Sequence, residues 1–400
     1  MTTFSKLGLA AASLLAFAAF EQGNQVNAAG GPPETLNGPF RVLAPIESGD
    51  LLLFPVVRST GMSPGETPFI TLDEGIRSGE VEVTEAGRVQ GLVRPRGAAQ
   101  NSYRGDQVNT LVLVNNSRSP LLLLAGEIVT GGKQDRVIAK DRIVPVGADP
   151  IDLGVFCIEH GRWTESSSTF GAAAKSSSRG FMVQPTVRER AMAQKDQQQV
   201  WDSVHGAISQ MAMAAAPPAT PNNGPAPSAS SFGTTSYAKV MESNAVSEKV
   251  DEAAAPIMKA REQVLAQLRH EHAVGVVVAV HGEIVWADLF ASPELLSRYW
   301  TKLVRSYAAE SLSARTKQAA PSVADAQRFL NAPSGGTESS EGDVGVYRYR
   351  ELKSGGTETF VLESLLPGTD YDVHISKMKL RSDQSGASKS HPIFSPQIYR

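Results

Sequence analysis

From Phe40 to Glu159 hydrophobic and polar positions trade places every few residues, a spacing that predicts short strands. Phe40 to Ala44 and Leu51 to Val57 are apolar runs separated by the turn signal Ser48-Gly49-Asp50. Val81 to Thr84 alternates, as a strand buried on one face does. Leu111 to Val114 and Leu121 to Leu124 flank a segment rich in Asn, Ser and Pro, residues that favour a turn, so the pair predicts a hairpin. Arg136 to Ile138, Arg142 to Val146 and Leu153 to Ile158 complete the set. Closely spaced strands with no long helical pattern between them predict an antiparallel sandwich or barrel.

Beyond this region the period changes. Ser166 to Arg179 is dense in serine and alanine and predicts a mobile stretch. Thr186-Val-Arg-Glu189 has the capping-box pattern that opens a helix. Trp201, Val204, Ile208 and Met211 then fall at steps of three and four, giving one apolar stripe. Ala214 to Ser236 is built from Ala, Pro, Asn, Ser and Gly. It has too little apolar bulk to offset the entropy of ordering, and predicts a disordered insert. A second helix is predicted from Pro256 to Arg269. Ala273 to Val280 turns at His281-Gly282 into Glu283 to Phe290, a hairpin with a buried first strand. Ser292-Pro293 places serine at the N-cap and proline at the first position of a long helix. Its apolar stripe is Leu296, Trp300, Leu303 and Tyr307. Ser322 to Leu330 predicts a short helix, Val344 to Leu380 further strands, and the last twenty residues a polar tail. The fold class is α+β. An antiparallel β-rich part (36–165), sandwich or barrel-like, precedes a helix–hairpin–helix part (181–380), and the disordered insert 214–236 interrupts the latter.

The N-terminus changes the picture most. A short positive segment ending at Lys6 precedes an apolar run from Leu7 to Phe20, then polar residues and Val26-Asn27-Ala28. That is the plan of a secretory signal peptide, with small residues at the −3 and −1 positions, and it predicts cleavage near Ala28 and export to the periplasm or the medium. The apolar run is too short to span a bilayer, which needs about 20 residues, so no retained membrane anchor is expected. No cysteine lies near the cleavage point, which excludes a lipoprotein. The net charge of −3 carries no footprint for nucleic acid or an anionic membrane, and 41% hydrophobic residues suffice for an ordinary core. The one cysteine, Cys157, rules out an internal disulfide.

Two segments are more polar than a structural strand requires. In the first, Glu127 is followed by Gly131-Gly132-Lys133-Gln134-Asp135-Arg136, where glycines beside two cations suit an anion. It is not a P-loop, because Gly132 stands where the lysine belongs and Gln134 follows the lysine. A β-bulge with solvated charges is the alternative. The second is Cys157-Ile158-Glu159-His160-Gly161-Arg162-Trp163. A thiol near an imidazole and a cation can become a nucleophile, and Glu159 can serve as a general base. Against that stand a buried packing role for Cys157, an ion pair between Glu159 and Arg162, and a packed cap for Trp163. His270-Glu271-His272 lacks the third ligand a zinc site needs, so no metal site and no cofactor is assigned.

These residues together resemble a known family, the ARG and rhodanese-phosphatase-superfamily-associated protein domain. The resemblance rests on Leu111 to Asn116, Gly126-Glu127, Gly131 to Arg136 and Val155 to Trp163, with Val274 to Phe290 and Lys302 to Ala308 later in the chain. It extends from about Leu36 to about Leu380 and crosses the insert. The family name records an association with ADP-ribosylglycohydrolases and rhodanese-phosphatases, which implies a link to NAD or ADP-ribose metabolism. It also implies that Glu127, Lys133, Gln134, Asp135, Arg136, Cys157, Glu159, Arg162 and Trp163 are the residues to follow. The reading is a ligand-binding or accessory module for a small anionic or ADP-ribose-like ligand, with no nucleic-acid partner. A hydrolase using Cys157 or Glu159 and a cell-envelope structural protein are the alternatives.

Overall fold

The structure is a computed structural model that describes residues 40–58, 67–85, 110–162, 166–172, 180–216, 228–267, 273–314 and 318–380. The signal-peptide region, the polar tail, the centre of the insert (217–227), Trp163 and the His270-Glu271-His272 junction (268–272) lie outside the described residues. No described helix is long and apolar enough to cross a membrane.

The chain opens with β1 (Phe40–Val42), β2 (Ile46–Ser48) and β3 (Leu51–Arg58). Then come β4 (Ile70–Thr71), α1 (Leu72–Ser78), β5 (Val81–Glu85), β6 (Thr110–Asn115) and β7 (Leu121–Leu123). β8 (Ile128–Gly131), β9 (Arg136–Ile138), β10 (Arg142–Val144), β11 (Ile151–Cys157) and β12 (Thr169–Ala172) follow. Helices α2 (Pro185–Glu189), α3 (Gln197–Ala215), α4 (Tyr237–Glu242) and α5 (Asn244–Gln267) precede the hairpin β13 (Ala273–Val280) and β14 (Glu283–Phe290). Helices α6 (Pro293–Ser311) and α7 (Val323–Asn331) lead into β15 (Thr337–Asp343), β16 (Tyr347–Ser354), β17 (Thr357–Ser364) and β18 (Tyr371–Lys379).

Six of these strands close a barrel in the order β11-β6-β5-β12-β8-β9. Side chains alternate across a strand, so Val81 and Val83, Leu111 and Leu113, Leu153 and Val155 all point inward and fill it around Phe170. The large sheet runs β1-β3-β13-β14-β18-β17-β16-β15, with β2 also paired to β3. It joins both ends of the sequence, because β3 pairs antiparallel with β13, Phe54 facing Val277. Both faces of β3 are covered. Leu51, Leu53 and Val57 enter one core and Leu52, Phe54 and Val56 another, which explains a continuous apolar run in place of an alternating one. α6 covers the first face with Leu295, Tyr299, Leu303 and Tyr307, and α7 covers the second with Ala326 and Leu330. Gln327 on α7 also closes the β1 edge, accepting from Val42 N at 2.9 Å and donating to Phe40 O at 3.3 Å.

Five local expectations change. The predicted hairpin of Leu111 to Val114 with Leu121 to Leu124 does not form: β6 pairs with β5 and β11 in the barrel, and β7 pairs with β10 and β4 in a separate three-stranded sheet. The Thr186-to-Glu189 pattern is not a capping box: Gln184 is the N-cap of α2, and Thr186 donates instead to Glu310 on α6 at 2.5 Å. Helix α5 starts at Asn244, well before Pro256, and passes through that proline. Its buried stripe Val246, Val250, Ala254 and Ile257 outweighs the backbone hydrogen bond that proline removes. Within the serine-rich stretch, Thr169–Ala172 is a barrel strand paired to β5 and β8. The insert is ordered at its C-terminal side, where Ala229–Phe232 makes a 3-10 turn and buried Ser236 caps α4.

Candidate functional site

The Gly131–Arg136 turn sits at one end of the barrel. Gly132 has φ 49°, and a Cβ there would lie 2.3 Å from the Phe170 ring, so only glycine lets the turn fold over the barrel mouth. Arg136 shares the inward face of β9 with Ile138 and is fully buried. Its guanidinium donates to Gln134 O at 2.5 Å and lies 3.8 Å from the Glu85 carboxylate, which also accepts from Lys133 N at 3.2 Å. Arg136 therefore braces the turn from below and meets no solvent. Gln134 is buried too, and its side-chain amide has no hydrogen-bond partner among the described residues; Lys133 is half-buried.

Asp135, Glu159 and Arg162 do come together. Arg162 lies 2.6 Å from Glu159 and 3.4 Å from Asp135, and it donates to Gly132 O at 3.0 Å. Glu159 accepts from Asp135 N at 3.2 Å. Asp135 takes a 2.6 Å hydrogen bond from Ser236, so the far side of the insert is tied to this loop. Burial pushes the Asp135 carboxyl above the usual carboxylate range, against the Ser236 hydrogen bond. Arg162 is thus an internal brace whose guanidinium is already engaged by two carboxylates and a carbonyl.

Cys157 ends β11 with 1% of its surface exposed. Burial raises its thiol pKa, with Arg136 opposing, which is the reverse of what a thiolate nucleophile requires. Its backbone plays a structural part. Cys157 N donates to the Gln197 side chain at 2.9 Å, and Gln197 returns a hydrogen bond to Cys157 O at 2.8 Å. This reciprocal pair fixes the start of α3 against the end of β11.

Between them lies a cleft of about 930 Å³. One wall is the loop Glu159 to Arg162, which the sequence singles out. The second is a stripe of α3 carrying Gln198, Trp201, Asp202 and His205, spaced to share one helical face. The third is the segment Ala229 to Thr235 with Lys239. His160 joins all three, its ring edge-on to Trp201 at 4.7 Å and its carbonyl accepting from Thr235 at 2.7 Å. The volume falls in the range of small-molecule sites, roughly 300–1,000 Å³. No group of three or more His, Cys, Asp or Glu side chains among the described residues is placed to hold a metal.

Glu127 lies elsewhere. It is buried between Lys302 at 2.6 Å and Leu124 N at 2.7 Å, and Lys302 also reaches Asp73 at 2.5 Å. Burial raises the Glu127 pKa while Lys302 pulls it down. This triad joins the barrel side of the molecule to α6. A second sealed network centres on Asp288. Arg188 lies 2.9 and 3.2 Å from its two oxygens, Ser376 donates at 2.9 Å, Tyr307 donates as well, and His374 stands at 3.2 Å. His374 bridges on to Asp141 at 2.6 Å. Burial works to raise the Asp288 pKa, but Arg188 and His374 outweigh it and hold it well below the carboxylate range. Burial works to lower that of His374, and the two aspartates raise it to about 9. Gly126 (φ 93°) makes room here, since a Cβ would lie 2.6 Å from the Arg188 side chain.

Sequence reasoning passed over Arg188, Asp288, His374 and Lys302, and on the cleft side Asp202, His205 and Lys239. A signal exists for Asp288, the one polar residue between Ile284 and Phe290 of β14, whereas His374 shares its strand with Asp372, Ser376 and Lys377 and carries none. The cleft residues carry no such mark, because polar positions on an exposed helix face are ordinary.

Among known proteins, the family model described as ARG and Rhodanese-Phosphatase-superfamily-associated Protein domain matches residues 39–378. No curated protein and no solved structure matches the chain.

Proposed function

The chain belongs to the ARG and rhodanese-phosphatase-superfamily-associated protein domain family, and on that premise we propose that it is an exported ligand-binding or accessory module for an ADP-ribose-like ligand held in the cleft. The observation that supports this reading is the bracing of the cleft. Its Glu159–Arg162 wall is fixed by Asp135, Ser236 and the Gly132 carbonyl, and its α3 wall by the Gln197–Cys157 pair. A site fixed before its ligand arrives loses less ordering entropy on binding. Trp201 offers an aromatic surface for a base, and hydroxyls, imidazoles and a carboxylate surround it. The thiol of Cys157 lies in the core, where burial raises its pKa against the opposing pull of Arg136, which disfavours nucleophilic hydrolysis.

Isothermal titration of the mature chain with ADP-ribose tests the proposal. Heat with wild type and its loss in Trp201→Ala is the expected result. Binding that survives Trp201→Ala unchanged, or no heat at all, overturns it. For export, mass measurement of the secreted product should show an N-terminus just after Ala28; a full-length chain retained in the cell contradicts that part.

A further inference from the structure

Resting on the cleft reading above, we infer that the cleft recognises a riboside by its ring and its sugar hydroxyls, not by its phosphates. The charge distribution carries this. Phosphate sites are built from arginines with free paired donors, from lysines, or from clustered backbone N–H groups. Here Arg162 is engaged by Glu159 and Asp135, and Arg136 is sealed beneath the Gly132 turn. Among the described cleft residues that leaves the ammonium of Lys239, on an exposed position, as the lysine or arginine not drawn into that brace. The carboxylate of Asp202 is exposed to the same space and opposes a second anion, while Glu159 is buried and taken up by Arg162.

What the cleft does present is suited to hydroxyl donors. Asp202 is exposed on α3 and accepts from Gln198 at 2.9 Å, leaving further acceptor capacity on a group with about four lone-pair sites. A carboxylate beside an amide can engage two neighbouring hydroxyls of a sugar at once, the carboxylate accepting and the amide oxygen or nitrogen completing the pair. Trp201 lines the same wall with its indole ring, while its N–H carries no accessible surface and is not offered to a ligand. Ser230 and Thr234 on the opposite wall add neutral donors and acceptors.

The experiment is titration of the mature chain with three probes, ADP-ribose, adenosine and inorganic pyrophosphate, at low and at high salt. Adenosine and ADP-ribose should bind within about threefold of each other, with little salt dependence, and pyrophosphate should not displace either. Asp202→Asn should weaken both ribosides about tenfold, the loss of one charge-assisted hydrogen bond. Lys239→Ala should change ADP-ribose binding by less than about threefold. ADP-ribose binding that pyrophosphate displaces, that falls steeply with salt, or that ignores Asp202→Asn overturns this inference and leaves the cleft reading standing. If neither riboside binds, the cleft reading itself fails and this inference with it. Circular dichroism of Asp202→Asn confirms the fold, because that side chain is exposed.

Discussion

Around Asp288, the side chains of Arg188, Tyr307, Ser376 and His374 converge on one carboxylate that solvent does not reach. Around Asp202, Gln198 donates one hydrogen bond and the rest of the carboxylate faces an open cleft. The two clusters use the same residue types to opposite ends. In the sealed network every charge is answered by protein, so it joins α2, the barrel-side residue Asp141 and the large sheet at one point. In the cleft the brace is answered by protein and the lining is left for something else. Polar residues among apolar ones mark both a joint and a site, and how completely they are partnered separates the two.

Breaking the sealed network gives the largest expected effect. Asp288→Ala leaves Arg188 and His374 charged and buried, and removing one partner of such a pair costs about 3–5 kcal/mol. Urea denaturation should show that loss, and a stability within about 1 kcal/mol of wild type would mean that the network does not hold the fold together. The same network predicts a pH dependence. The His374 pKa is raised to about 9 in the fold, against about 6.5 in an unfolded chain. Its contribution is therefore fully present below about pH 6.5 and disappears as pH rises through about 9. Thermal melts between these limits should show the decline, and His374→Gln should flatten it.

Arg162→Ala comes next. It leaves Asp135 and Glu159 without their cation and should cost about 1–3 kcal/mol while loosening the cleft wall, so ligand affinity and stability fall together. A stable Arg162→Ala chain with full ADP-ribose affinity would show that the brace does not shape the cleft. The smallest effect belongs to Cys157→Ala, about 1 kcal/mol of packing with ligand binding unchanged. Loss of binding in that variant, with the fold intact, would bring the thiol back into the site.

Much of this architecture is legible locally. The alternation of Val81 to Thr84, the His281-Gly282 hairpin and the Ser292-Pro293 helix start each follow from a few neighbouring residues, and each is present. What is not legible depends on distance along the chain. Thr186 looks like a cap because its pattern is local, yet its partner Glu310 comes from α6. Arg136 reads as a ligand cation, and only the closure of the barrel turns it inward beneath Gly132. The Glu159–Arg162 loop is conspicuous in sequence and does line the cleft, whereas Glu127 is equally conspicuous and lies in the Lys302 triad. Nothing local distinguishes those two glutamates, since the difference lies in what α6 and the insert bring to each.

The most direct measurement compares Asp202→Asn with Asp288→Asn, each assayed for thermal stability and for ADP-ribose binding. Asp202→Asn should melt like wild type and bind about tenfold more weakly; Asp288→Asn should melt several degrees lower and, where still folded, bind as wild type does. A reversal, with Asp202→Asn unstable or Asp288→Asn stable and unable to bind, would contradict the division between an open site and a sealed joint.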